Sequence, residues 1–347
     1  MVWGPAWNDD VLRDDVPVAR AQRDLCAFAE TVGNDLAADL RAAEERTVNW
    51  TNAQLTAALV DVAVSRAMRR LAETGVWGRD NEIPSRCFWA PVADWLSTSA
   101  LVHRARFKPR GLAGDHDMLV AICEGHVCEH PLGRHLDRYF LNQAAPQAVR
   151  ARTEQIAALL AAAIVWNAKP ARRVVSIGSG PALDVLWALQ SVDETTRRYV
   201  EVGLLDLDEE GLAAACQRLN TLLPADHVVA KRENLVRLPR IARVQPLIAG
   251  ADFIVVSGLF DYLVDDNAQT MLAFLWDSLA AGGTLVVGNF APHCATRALM
   301  EWVGNWYLIY RRKSEMHQLA KSAGIPDESA RVGAERTGTD LFLVATK

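Results

Sequence analysis

Two short stretches of the chain carry residues whose types and spacing could grip a ligand. The first, VVSIGSGPALD at 174–184, runs an apolar stretch into Gly178-Ser179-Gly180. Such a stretch reads as a buried strand, and glycines after it let a ligand approach the backbone with no Cβ in the way. Pro181 then suits the first position of a helix, where its missing N–H is no loss. The second stretch, VGLLDLDEEGL at 202–212, ends an apolar run on Asp206, about 28 residues past Gly178. A carboxylate there is the usual grip for ribose hydroxyls. Together they call for a nucleotide-like ligand.

The details narrow which ligand. A dinucleotide fingerprint needs a small residue at its third position, and here that position is Leu183. No G-x-x-x-x-G-K-[ST] loop occurs, which excludes that phosphate cradle. A glycine loop plus a ribose acid, without a pyrophosphate grip, suits S-adenosylmethionine.

The elements that must position these residues fall in two dissimilar halves. Residues 16–75 are Ala-, Arg- and Glu-rich with helical spacing, and Leu55, Leu59, Val62 and Ala63 share one predicted face. Further helices are expected over 92–105, 116–127, 132–142 and 147–168. After residue 170 strands and helices alternate: strands near 172–177, 199–206, 227–230, 252–257 and 283–289, helices near 182–191, 209–222, 266–280, 296–308 and 313–323. Alternation of this kind predicts an α/β fold, a mostly parallel sheet between helical layers. Two last strands, 329–335 and 340–346, are joined by a hairpin-length connection, so their pairing should be antiparallel. The expected domains are a helical one over 1–146 and a nucleotide-binding one over 147–347.

Doubly wound sheets present ligands at the carboxyl ends of their strands. Leu207 follows Asp206 there, and Asn234 and Leu235 after the third strand offer a polar group and an apolar wall for an adenine ring. Ser257, Gly258, Phe260, Asp261 and Tyr262 follow the fourth strand, where the reacting end of the ligand belongs. Tyr262 could stabilise a sulfonium by cation–π attraction. Asn289 ends the fifth strand, and His293 comes just after it. Asp184 and Asp208 have a plainer alternative role as complements to helix N-termini.

Composition agrees with a cytoplasmic enzyme. The chain has 347 residues, half of them hydrophobic, and a formal net charge of −5. Mild acidity argues against a general nucleic-acid binder. The first residues, MVWGPAWNDDVLRDD, lack a signal-peptide core, and IAALLAAAIVW at 156–166 is too short to span a bilayer. Six scattered cysteines fit a reducing compartment. Cys123, His126, Cys128 and His130 bunch in CEGHVCEH, but four ligands in eight residues can hardly close a tetrahedron, so no metal is expected. The aromatic run EWVGNWYLIYR puts Trp302, Trp306 and Ile309 on one side of the expected helix, as core or as a pocket wall.

Over nearly its whole length the second half resembles class I S-adenosylmethionine-dependent methyltransferases. KPRGLAGDHDM (108–118), HPLGRHLDRYFL (130–141), SGLFDYL (257–263), GNFAP (288–292) and MEWVGNWYLIYR (300–311) resemble, more narrowly, a bacterial family of methyltransferases for 3-hydroxypalmitic acid methyl ester biosynthesis. The resemblance implies a Rossmann-like sheet with an antiparallel last strand and an N-terminal all-helical domain forming a lid. It implies that Gly178, Gly180, Asp206, Asn234 and the 257–262 loop hold the cofactor, with the Arg110–Asp115 segment and Tyr139 closing over it. Two departures, Leu112 for a tyrosine and Ala-Pro-His-Cys after Asn289, fall where the acceptor should bind.

The same fold group resembles azetidine-2-carboxylate synthases, which close the amino-acid arm of S-adenosylmethionine into a ring. Methyl transfer to a small-molecule acceptor needs orientation, and a base such as His293 or Asp261 if the acceptor is a hydroxyl. Ring closure needs an acceptor for the amine (Asn142, Asn289 or Asp261) and aromatic walls (Tyr139, Tyr262). Methyl transfer is the expected reaction and ring closure the alternative, with a binding role third. No nucleic acid or membrane partner is expected, and a homodimer is the candidate assembly.

Overall fold

The computed structural model describes residues 20–49, 53–166 and 172–347, so the acidic N-terminal stretch lies outside the described residues. The chain divides into two compact units that interleave in sequence. One takes residues up to Met118, Val127–Phe140 and Arg297–Tyr307; the other takes Leu119–His126, Leu141–Thr296 and Leu308–Lys347.

Helices build the first unit: α1 (Arg20–Asn49), α2 (Ala53–Ala72), α3 (Glu82–Leu96) and α4 (Ala100–Phe107); next along the chain come α5 (His116–Glu124), most of which belongs to the second unit, and α6 (Gly133–Leu141), most of which belongs to the first. Gly33 brings α1 close to α3, because a Cβ there would overlap the carbonyl oxygen of Phe88. The Ser99 hydroxyl accepts from Val102 N–H and caps α4. On α2 the buried stripe is Thr56, Val60, Ala63, Val64, Ala67, Met68 and Leu71. The predicted face was therefore out of phase, since Leu55 and Val62 are exposed. Of the predicted face Ala63 is buried as expected, while the small Ala67 one turn on also takes the packed side and was not singled out.

A second correction concerns 296–308. Only a π-helical turn forms, Leu299–Val303. Gly304 and Asn305 stop it, with Asn305 in the left-handed region at φ 48°. The Asn305 side chain is held there by Ser85 and Arg106. Trp302 is fully buried, whereas Trp306 and Ile309 lie beyond the turn and share no helix face with it.

The second unit carries the sheet. After α7 (Ala144–Trp166) come β1 (Arg172–Ile177), α8 (Leu183–Ser191), α9 (Glu194–Arg197), β2 (Val200–Asp206), α10 (Glu209–Leu219) and β3 (Val228–Arg232). Then follow α11 (Gln245–Ile248), β4 (Ala251–Val256), α12 (Asp265–Ser278), β5 (Leu279–Phe290), α13 (Lys313–Ser322), β6 (Ala330–Ala334) and β7 (Asp340–Thr346). The order is β3-β2-β1-β4-β5-β7-β6. Strands β1 to β5 pair in parallel, while β7 runs antiparallel to both β5 and β6. This is the predicted α/β, Rossmann-like sheet with an antiparallel last strand.

Central strands are nearly continuous apolar runs because helices cover both faces. One layer of core gathers Val175, Ile254 and Val287 with Leu272 and Leu275; the other gathers Val174, Leu204 and Val255 with Ile156 and Leu160. The reversal of strand order between β1 and β4 opens the crevice where such sheets bind ligands. Among the described residues no helix is long and apolar enough to cross a membrane.

Candidate functional site

The glycine loop is bent by its own backbone and tied to the next strand. Gly178 and Gly180 take φ of 64° and 47°, a region that favours glycine. Gly178 N–H donates to Leu205 O at 2.8 Å, and Gly180 N–H donates to Asp206 Oδ2 at 2.8 Å. Asp206 Oδ1 accepts from Leu207 N–H (2.7 Å) and Asp208 N–H (3.0 Å), so this carboxylate clamps the loop to the end of β2. Helix α8 starts at Leu183, one residue later than the expected 182. Pro181 instead sits in the preceding turn, because Ala182 takes a left-handed conformation and its N–H bonds Ser179 O.

Four loops meet at this edge. A Cβ on Gly178 would lie 3.6 Å from Leu235 and 3.6 Å from Leu259, and Glu233 N–H donates to Asp206 O at 2.9 Å. Glu233 itself is buried and grips Arg243 through two bonds of 2.7 and 2.8 Å. Exposed Leu207 and Asn234, half-buried Ile241 and the charged Arg232, Glu233, Arg237 and Arg243 line a recess of about 380 Å³. Two apolar side chains with an amide between them offer a flat heteroaromatic base a surface and an edge contact.

At the ends of β4 and β5 the structure places an ionic cluster. Arg152 of α7 is 5% exposed, and its Nη1 bonds Asp340 Oδ2 at 2.7 Å. Its guanidinium passes under Gly258, where a Cβ would stand 3.5 Å from Nη2. Burial, partly offset by Arg152, pushes the Asp340 carboxyl up to about 6. Burial and the charge of Asp340 push Asp261 well above the carboxylate range. Burial also raises Asp184.

Asp261 and Asn289 hold loops together. Asp261 Oδ1 accepts from Phe290 N–H at 2.8 Å, and its carbonyl accepts from Ile309 N–H at 2.7 Å. The Asn289 amide is fully buried, donating to Phe290 O and Ile309 O and accepting from Arg311 at 2.7 Å. Arg311 also donates to Phe260 O, Leu263 O and Asp265. His293 is exposed, with Nε2 2.9 Å from Gly338 O. Ser257 and Tyr262 are half-buried in the loop after β4, and Asn142 is exposed after α6. Asp208 caps α10 through Gly211 N–H, the plainer of its two expected roles.

The remaining expected residues belong to the helical unit. Asp115 bonds Arg104 at 2.6 Å and accepts from Met118 N–H, while Arg110 bonds Asp117 at 2.9 Å. Tyr139 is buried, its hydroxyl 3.2 Å from Ser65 Oγ, and burial pushes its pKa up. The Cys/His bunch disperses: Cys123 faces Thr153, His126 pairs with Glu124, Cys128 bonds Thr98 O, and His130 accepts from Gly133 N–H. Among the described residues no group of three such side chains is placed to hold a metal ion.

Sequence reasoning did not single out Arg152, Asp340 or Arg311. One signal was available for Arg152, a lone charge facing the apolar side of a helix rich in alanine. Asp340 and Arg311 carry no local mark.

The sequence profile of the family described as "Putative methyltransferase" matches residues 123–336, more than half of the chain. The chain belongs to this methyltransferase family. A search of curated proteins finds no match. Among solved structures, a possible exported protein from Bordetella parapertussis is similar with a TM-score of 0.54 and 17% identity, covering 91% of this chain and 96% of that one. The CurJ carbon methyltransferase gives 0.49 and 13% over 94% and 93%. Magnesium protoporphyrin IX methyltransferase from Synechocystis PCC 6803 gives 0.44 and 14% over 59% and 87%. At such identities the likeness concerns the fold alone.

Proposed function

We propose that this methyltransferase-family chain uses S-adenosylmethionine to methylate a small molecule. The observation that carries the reading is the loop Gly178–Gly180 clamped by Asp206 at the switch point of the sheet. The fit is supported by an orphan group: Ser179 Oγ is buried in that loop with no hydrogen-bond partner. Buried hydroxyls are seldom left unpaired, so a ligand group is the natural partner.

When bound, S-adenosylmethionine supplies an electrophilic methyl group on a sulfonium. The chain's own residues bind and orient. Asp206 offers remaining lone pairs to ribose hydroxyls, Leu207 and Leu235 flank the base, and Asn234 can bond its edge. Gly258 and the half-buried Tyr262 border the reacting end, where exclusion of water and correct orientation supply most of the rate. Asp261, tied by its own bonds, and His293, bound to the next loop, leave orientation as the larger part of the chain's contribution.

The finer reading is a fatty-acid-derived or secondary-metabolite acceptor, supported by the resemblance of SGLFDYL, GNFAP and MEWVGNWYLIYR to the 3-hydroxypalmitate family. In the same reading Arg110, Asp115 and Tyr139 belong to a lid. Ring closure of the cofactor draws no support from the family match. Calorimetric titration with S-adenosylmethionine tests the proposal. The wild type should bind, and Asp206→Ala should bind at least about tenfold more weakly, the loss of one charge-assisted contact pair. No binding by the wild type would reject the reading.

A further inference from the structure

The helical unit sets two cysteines against each other. Helices α1 and α3 run side by side in the same direction: Gly33 packs on Phe88 and Pro91, and further along Glu44 accepts from Trp95 Nε1 at 3.2 Å. In that register Cys26, two turns before Gly33 on the same face of α1, stands beside Cys87, the residue before Phe88. The two thiols are hydrogen-bonding neighbours, and neither is joined in a disulfide. Cys123 and Cys128, by contrast, find Thr153 and Thr98 O.

The packing leaves room for a covalent link. At Gly33 the helices approach so closely that a Cβ would lie 2.2 Å from Phe88 O. Helices packed this tightly bring facing Cα atoms to the roughly 4.4–6.8 Å that a disulfide spans. Both cysteines are half-buried. One turn below them a recess of about 900 Å³, lined by Gln22 and Leu25 of α1 and by Ile83 and Arg86 of α3, admits a small reagent to this side of the helix pair.

We propose that Cys26 and Cys87 form a reversible disulfide, closed by a low-molecular-weight disulfide and opened by thiols, which fastens α1 to α3. In the first step the Cys26 sulfur loses its proton and attacks one sulfur of the reagent, R–S–S–R, so that the reagent's S–S bond breaks and one thiolate leaves. In the second, Cys87 loses its proton and attacks the Cys26 sulfur, expelling the other thiolate. The two thiolates take up the two protons. The chain gives up two electrons and two protons, and the reagent is reduced to two molecules of R–SH.

The order of attack follows from the surroundings. Burial, the hydrogen bond to Cys26 and the charges of Cys26 and Glu30 push the Cys87 thiol up to about 12. Cys87 therefore keeps its proton and donates it to the Cys26 sulfur, which is left as the attacking atom. Once Cys26 carries the R–S group it holds no charge, so its share in raising Cys87 disappears and the second step becomes easier. The closed loop spans about 60 residues, enough for the link to stabilise the chain by restricting its unfolded state.

The test needs neither cofactor nor acceptor. The full chain is incubated with oxidised glutathione, remaining thiols are blocked with N-ethylmaleimide, and the unreduced tryptic digest is mapped by mass spectrometry. Peptides 24–41 and 87–104 should appear joined, four of the six thiols should remain, and dithiothreitol should restore all six. Oxidation should raise the midpoint of thermal unfolding by at least about 4 °C. Cys87→Ser should stop after the first step with glutathione retained on Cys26, and Cys26→Ser should take up none at Cys87. A wild-type chain that stays reduced, joins either cysteine to another partner, or keeps glutathione on Cys26 without closing the link would overturn the proposal. A closed link that lowers the midpoint would do the same.

Discussion

Replacing Arg311 by methionine should loosen the loops after β4 and β5 without touching the glycine loop. Arg311 is 2% exposed and donates to Phe260 O (2.8 Å), Leu263 O and Asn289 Oδ1 (2.7 Å), as well as to Asp265. The Asp265 partner is 76% exposed, so that pair adds little. The other three acceptors are interior, and a charged donor to each contributes roughly 1.5–3 kcal/mol. Methionine fills much of the volume but leaves all three unpaired, while partial entry of water recovers some of the loss. The expected cost is about 4 kcal/mol, a large share of a stability of roughly 5–15 kcal/mol. Urea denaturation reads the loss, and hydrogen exchange reads its location, with faster exchange over 257–263 and 289–291. A loss below about 1 kcal/mol with unchanged exchange would refute the role of Arg311 as the staple of these loops.

Gly288→Ala places a Cβ into the carbonyl oxygen of Ser257, and about 2–3 kcal/mol should be lost in urea denaturation. Gly333→Ala meets nothing within 4 Å and should change stability by no more than about 0.5 kcal/mol; similar effects for the two variants would contradict the packing described. Asp340 is raised from 3.8 to about 6, so the folded chain keeps a proton that the unfolded chain gives up. Its contribution therefore falls as pH rises from about 4 and is fully lost above about 6, amounting to about 3 kcal/mol. Asp340→Asn has no such proton to lose, and its stability relative to wild type should rise by about that amount between pH 4 and 7; parallel pH profiles would count against burial as the cause.

Much of the sheet-bearing unit was legible in the sequence because its strands are buried on both faces and read as short apolar runs. The same logic placed Gly178, Gly180 and Asp206 at one edge, since a strand end followed by glycine or carboxylate is a local signal. The helical unit was harder. Its α2 buries Val60, Val64 and Ala67 besides the expected Ala63, and the large exposed Leu55 and Val62 drew the predicted face away from that stripe. The helix expected over 296–308 failed at Gly304-Asn305, where Asn305 is held by Ser85 and Arg106, partners about 200 or more residues away. Arg152 and Asp340 illustrate the deeper difficulty. A buried ion pair is defined by two residues 188 positions apart, and neither residue alone distinguishes a core charge from a solvated one.

The central claim is transfer of a methyl group from S-adenosylmethionine, and product analysis tests it most directly. The protein is incubated with methyl-labelled S-adenosylmethionine and a mixture of hydroxy- and carboxy-bearing small molecules, and the adenosyl product is identified by mass spectrometry. The account predicts S-adenosylhomocysteine in equal amount to label transferred to an acceptor, and neither product without one. Methylthioadenosine released from S-adenosylmethionine alone would contradict it.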